Sequence, residues 1–151
     1  MKKKILIVGG TGFIGFHAIK EAKKKNFRVY SISLHRPKVH RYHKGVKYIY
    51  LDISSLESLK KKLKVCSFDY VINAGGYGDH PDFGHKGIKL IKSHLYGLIN
   101  LLNILNKKKI KKFIQVGSSS EYGIVKSPIH ETKKCSPNTP YSIAKISCTN
   151  I

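Results

Sequence analysis

Tyr141 and Lys145, four residues apart near the end of the chain, are a pair whose types and spacing could move a proton. On a helix, residues four apart share a face. A free phenol ionises at about 10, too high for a base at neutral pH, but an ammonium held beside a phenol stabilises the phenolate. Upstream, Gly117-Ser118-Ser119-Ser120 offers hydroxyls at Ser118 and Ser119 that could bond a reacting oxygen or simply cap a turn. Near the start, Gly9-Gly10-Thr11-Gly12-Phe13-Ile14-Gly15 reads as G-x-G-x-x-G from Gly10 and as G-x-x-G-x-x-G from Gly9. Missing side chains let such a turn close, admit a pyrophosphate to the backbone, and let the next helix pack on the strand; the helix N-terminus then favours the negative charge. Together the motifs predict a dinucleotide, NAD or NADP, beside a proton-transferring pair.

The carboxylate that would hold the adenosine ribose is missing, since no Asp or Glu occurs from Ala22 to Leu51. Ser33, His35 and Arg36 stand there instead, and a cation at this place pairs with a 2′-phosphate, which leans the reading towards NADP. Arg36 also reads as one more solvated cation. Asp52-Ile53 could contact adenine, or Asp52 could cap the next helix.

Strand and helix patterns alternate around these residues. Strands are predicted over 4–8, 27–34, 46–51, 69–74 and 112–116, and helices over about 13–25, 54–64, 88–106 and from Tyr141 on. Ser54 with Glu57 reads as a capping box. The long helix is expected to bury Leu95, Leu98, Ile99, Leu102 and Leu105. Alternation of this kind predicts an α/β fold, a doubly wound parallel sheet with right-handed crossovers. About five strands are present; a sixth strand and a substrate domain are expected outside residues 1–151, leaving an incomplete dinucleotide-binding domain with an open sheet edge.

The charge balance is unusual: 29 Lys and Arg against 8 Asp and Glu, a net charge of +21. The excess comes in short lysine runs at predicted helix ends, where positive charge complements the helix dipole, and lysine suits a solvated face better than base readout. Specific nucleic-acid binding is therefore not expected, although non-specific adhesion to polyanions at low salt is. Cys66, Cys135 and Cys148 form no CxxC pair and predict reduced thiols in the cytoplasm. No apolar run is long enough to span a bilayer. His35, His40 and His43 lack acidic or thiol partners, so no metal site is predicted.

Residues 9–15, Asp52-Ile53, Asn73-Ala74-Gly75, Ser118-Ser119-Ser120-Glu121-Tyr122-Gly123 and 141–145 occur in an order that covers essentially the whole chain. In these pieces the chain resembles the N-terminal, cofactor-binding half of an extended short-chain dehydrogenase/reductase of the nucleotide-sugar epimerase and dehydratase type. The resemblance implies Tyr141 as acid/base, Lys145 as holder of the nicotinamide ribose, and Ser118, with Ser119 next, as the hydroxyl that bonds the reacting sugar oxygen. It implies an epimerase or reductase acting on a nucleotide-activated sugar, and a homodimer formed through the long helix and the Tyr141 helix. Family dehydratases carry an acidic pair after the Ser/Thr, where only Glu121 occurs, so elimination is disfavoured. The alternative is a non-catalytic fragment that at most binds the dinucleotide. His94 departs from the family's asparagine and reads as a core histidine satisfied by a neighbour; His80 and His85 fall near where substrate would enter.

Overall fold

Ile5, Leu6, Ile7 and Val8 are all buried, as a strand covered by helices on both faces requires. In a computed structural model, which describes residues 2–63, 66–78 and 80–151, this run forms β1 (Lys4–Val8). It is followed by α1 (Phe13–Lys24), β2 (Arg28–Ser33), β3 (Lys47–Tyr50), α2 (Leu56–Leu63) and β4 (Tyr70–Asn73). A long helical segment comes next, α3 (His85–Ile91) and α4 (Gly97–Ile104) joined through a π turn (Lys92–Tyr96), and then β5 (Lys112–Gln115) and α5 (Pro140–Thr149).

The strands form one parallel sheet of order β3-β2-β1-β4-β5, with Ile5 opposite both Val29 and Tyr70. This is the predicted doubly wound α/β sheet. Strand residues alternate between two apolar layers: Leu6, Val8, Ile32 and Val71 pack with Leu59 and Leu101 on one side, and Ile5, Ile7 and Val29 pack with Ile19 and Ala22 on the other. Asn26, with φ of 60°, turns the chain from α1 into β2. Among the described residues β5 pairs with β4 alone, and no helix is long and apolar enough to cross a membrane.

Two local expectations need correction. The hydroxyl at the start of α2 is that of Ser55, which accepts from Ser58 N–H at 3.3 Å, while Asp52 takes up the N–H and hydroxyl of Ser54 at 2.8 Å each. An Asx turn at Asp52 thus displaces the expected Ser54–Glu57 box by one residue. On the long helix, Leu98 and Leu105 are buried as predicted, but Ile99 is exposed and Leu101, outside the predicted stripe, is fully buried. The helix meets the sheet through Gly97, where a Cβ would lie 2.6 Å from Ile53 Cδ1, and through Asn100, whose amide donates to the carbonyls of Ile53 (3.1 Å) and Ser54 (2.9 Å). A small and a polar residue carry this contact, and an apolar count does not register them.

Candidate active site

The glycine turn is built by close approach. Gly9 has φ of +78°, and a Cβ there would lie 2.5 Å from the Ala74 carbonyl oxygen. Gly12 N–H donates to Gly9 O at 2.9 Å, and a Cβ on Gly15 would run into that same carbonyl. Gly10 instead lies against the Ser31 hydroxyl and Ile19. Both glycine spacings are therefore used, one to lay the turn on α1 and the other to lay it on β2. Thr11 N–H donates to Ser33 Oγ at 3.2 Å. Gly12 caps α1 without a side chain and the first helical turn holds no acid, so its N–H groups remain available to an anion. Phe13 and Ile14, expected among the cofactor residues, start the helix with exposed side chains.

A crevice of about 250 Å³ opens over the C-terminal ends of β1, β2 and β4. Gly9, Thr11 and Gly12 form one wall, Ser33 and His35 another, and Asp52, Ile53, Ala74 and Gly75 the rest. These residues fit a dinucleotide: backbone donors stand at a helix N-terminus, and the glycines at 9 and 15 let the turn close against β4 and α1 where a Cβ would collide with backbone. Asp52 lines the crevice and closes the Asx turn at Ser54, while the α2 cap falls to Ser55. Asn73 does not face the crevice; it is buried, donating to Gln115 Oε1 at 2.8 Å and accepting from Gly75 N–H at 3.3 Å, and so it shapes the turn. Arg36 does not line the crevice either, because its guanidinium lies over the Tyr50 ring, 5.9 Å from the centroid. His35 takes the place beside the ligand space.

Thr139 and Ser142 cap α5 reciprocally, Thr139 Oγ1 accepting from Ser142 N–H at 3.1 Å and Ser142 Oγ accepting from Thr139 N–H at 2.9 Å. Pro140 presets the first helical φ. This fixes Tyr141 in the first turn and Lys145 one turn on. Lys145 is only 5% exposed, and its ammonium donates to the Val116 carbonyl just beyond β5. Burial pushes that ammonium below the usual lysine range, with Cys148 and Glu121 pulling the other way. Tyr141 is half-buried between two imidazoles, with ring centroids 4.5 Å from His80 and 5.6 Å from His94, both edge-on.

His94 is buried, and its Nε2–H donates to the Tyr77 carbonyl at 2.9 Å, a satisfied core histidine as expected. A carbonyl only accepts, so Nε2 carries the proton. Burial holds the imidazole below the usual histidine range; the Tyr77 bond opposes this and the Lys145 charge adds to it. Ser118 is half-buried and caps the 3-10 turn Ser119–Tyr122: its Oγ accepts from Ser120 N–H at 3.2 Å, while its N–H donates to Glu121 Oε1 at 2.8 Å. That turn packs against α5, and Ser119 is exposed. A second cavity of about 790 Å³, lined by Tyr77, His80, His85 and Lys89 among others, lies beside Tyr141 across His80.

Sequence reasoning missed Gly76, Tyr77 and Ser93, which also line the crevice. The doubled glycine at 75–76 was the available signal, since Gly76 has φ of +124° and leaves room for the His94 ring. Among the described residues no three His, Cys, Asp or Glu gather for a metal; His43 stacks on Phe16 at 4.7 Å.

A doubly wound sheet with a glycine crevice at its switch point defines a Rossmann-like domain. The chain belongs to the NAD dependent epimerase/dehydratase family, whose sequence model matches residues 5–151. It is 29% identical over 151 residues to a UDP-glucose 4-epimerase of Lactobacillus helveticus, covering 95% of this chain and 44% of the relative. A crystal structure of UDP-glucose 4-epimerase from Thermotoga maritima with UDP-glucose superposes with a TM-score of 0.84 at 24% identity, covering 96% of this chain and 48% of that one. The Bordetella bronchiseptica enzyme WbmG in complex with NAD and UDP superposes with a TM-score of 0.83 at 20% identity, covering 99% and 49%. The two structural likenesses speak for the fold. The chain spans about half the length of the curated relatives it matches.

Proposed function

We propose that this chain is the cofactor-binding and proton-transferring part of an NAD(P)-dependent sugar-nucleotide epimerase or reductase. The observation that carries the reading is Lys145, a buried ammonium one helical turn from Tyr141, whose ring meets His94, the partner of the crevice-wall residue Tyr77. A bound nicotinamide would supply the hydride acceptor or donor. Tyr141 exchanges a proton with a sugar hydroxyl, and the Lys145 charge stabilises the phenolate it leaves. Ser118 already accepts a bond from Ser120 N–H, which leaves its own O–H to donate to the reacting sugar oxygen; exposed Ser119 is second choice. Gly9, Gly10, Thr11, Gly12 and Gly15 hold the pyrophosphate, and Asp52 and Ile53 the adenosine end. Glu121 is buried in the cap of its own turn, which supports epimerisation or reduction over elimination.

The finer cofactor reading keeps its lean to NADP: no carboxylate stands at the end of β2, and His35 lines the crevice there, with Arg36 one residue on resting on Tyr50. Isothermal titration of the chain with NADH and NADPH side by side tests both parts. Binding of either supports the crevice, tighter NADPH supports the 2′-phosphate reading, and tighter NADH removes it. The substrate class is a nucleotide-activated sugar, entering beside His80 and Tyr141. We place the chain in the cytoplasm, in keeping with free thiols at Cys66, Cys135 and Cys148. A homodimer would form through the outer face of the long helix, where Ile88, Tyr96 and Ile99 are exposed.

A second reading is that residues 1–151 bind dinucleotide and turn nothing over, supported by their spanning 44% of the L. helveticus relative. Dinucleotide binding without interconversion of UDP-glucose and UDP-galactose would favour it.

A further inference from the structure

We infer that His94 is a positioning residue that ties the crevice wall to Tyr141, so that the tyrosine is correctly held only while His94 is uncharged. The inference rests on Tyr141 being the acid/base.

Three independent features converge on this one side chain. First, it sits at the centre of the π turn Lys92–Tyr96. Such turns insert an extra residue into a helix and re-aim its neighbours; here Ser93 lines the crevice while His94 points to the other side, towards α5. Second, its Nε2–H holds the carbonyl of Tyr77, a residue of the crevice wall, and its ring fills the space that Gly76 leaves open. Third, its ring meets that of Tyr141 at 84° and 5.6 Å. One imidazole is therefore in contact with both the loop that bounds the ligand space and the residue that would do the chemistry. A displacement of the 76–77 loop on ligand binding has a direct mechanical route to Tyr141.

Charge decides whether this tie holds. The charged groups around His94 are few: Lys145 reaches it from α5, Glu121 and Cys148 act on Lys145 from beyond, and His80 flanks the other side of Tyr141. With Nε2–H committed to Tyr77, the proton that charges the ring must go to Nδ1. That places a second cation in a buried space already holding the Lys145 ammonium, with no carboxylate among the described residues bonded to the imidazole to offset it. Repulsion between the two cations is relieved only by moving the π turn or α5, and Tyr141 rides on α5. Proximity alone would let a core-filling histidine shift the Tyr141 ring signals at its own midpoint, so the mechanical tie is read from the response of Tyr141 to NADPH.

The test is an NMR pH titration of the unliganded chain carrying His80→Gln, which leaves a single imidazole against Tyr141. Resonances of Tyr141 are assigned by loss in Tyr141→Phe. The expected result is that Tyr141 shifts with the same midpoint as the His94 ring, and that this step vanishes in His94→Gln, which keeps an N–H donor for Tyr77 but cannot take a proton. Tyr141 resonances flat through the His94 midpoint, or moving equally in His94→Gln, would overturn the inference. The coincidence of midpoints needs no His94 variant, so a poorly folding His94→Gln does not rescue a negative result. A companion addition of NADPH should perturb Tyr141 in the parent and at least halve that perturbation in His94→Gln; an equal perturbation in both overturns the mechanical tie. Failure to bind any dinucleotide would instead count against the proposed function, while the ligand-free titration still tests whether the charge of His94 reaches Tyr141.

Discussion

Lys145 carries its charge into a place where burial works against it, and the Val116 carbonyl is the partner that keeps it there. Replacing Tyr141 with Phe removes only the hydroxyl, so we expect turnover to fall about 100- to 10,000-fold with little change in dinucleotide affinity, measured by steady-state kinetics and calorimetry. Gly9→Ala forces an L side chain to φ of +78° and into the Ala74 carbonyl. The conformation alone costs about 1–2 kcal/mol, and the overlap adds to it; chemical denaturation should show at least that loss, together with loss of NADPH binding. His94 has a further consequence for stability. Its folded-state pKa lies below its unfolded value of about 6.5. The unfolded chain therefore takes up the proton first as pH falls. The stability this group confers is present above about 6.5 and is lost as pH drops through the folded value. His94→Gln should flatten that part of a stability-versus-pH curve, and an unchanged slope would contradict it.

The elements matter through their ends and their irregularities. α5 is positioned by the Thr139–Ser142 box and Pro140, α1 by the glycine turn, and the long helix by the π turn and the approach at Gly97. Asn100 joins this last helix to the loop after β3 by bonds to two carbonyls. Asn100→Leu would leave those buried acceptors without a partner at a cost of about 1–3 kcal/mol, read as a lowered denaturation midpoint and increased mobility at the adenosine end of the crevice. The outer side of the same helix shows Ile88, Tyr96 and Ile99 to solvent. If these form the dimer face, Ile99→Lys should shift sedimentation velocity from dimer to monomer without altering the circular dichroism spectrum; a chain monomeric from the start would sink that reading.

At the scale of the whole molecule, parallel strands alternating with helices put every helix end and every strand start at one pole. The lysine runs 2–4, 23–25, 60–62 and 107–109 all belong to such connections, and Lys2, Lys3 and Lys4 meet Lys109 and Lys111 around one depression. The crevice lies at the opposite pole, over the C-terminal strand ends. A net charge of +21 should retain the chain on an immobilised polyphosphate at low salt and release it as salt rises. Since no Lys or Arg among the described residues lines the crevice, saturating NADPH should leave the elution position unchanged; a shift on adding NADPH would place the polyanion in the crevice instead.

The residues alone determined the sheet class, the place of the glycine turn and the Tyr141–Lys145 helix, because each rests on short-range rules: strand burial, helix period and the absence of a Cβ. β1 falls on the predicted residues, and the predicted boundaries of the other strands lie within one or two residues of those observed. What the sequence left open needed distances between segments remote in the chain. Ser118 could be seen as a hydroxyl for a turn or for a ligand, but not as one bonded to Ser120 and Glu121; Arg36 could be seen as a cation but not as one resting on Tyr50. The same holds for His94, whose meeting with Tyr77 and Tyr141 joins residues from three separate segments. Only the packed tertiary structure decides such contacts, because local pattern sets which way a residue can face and not what it will find there.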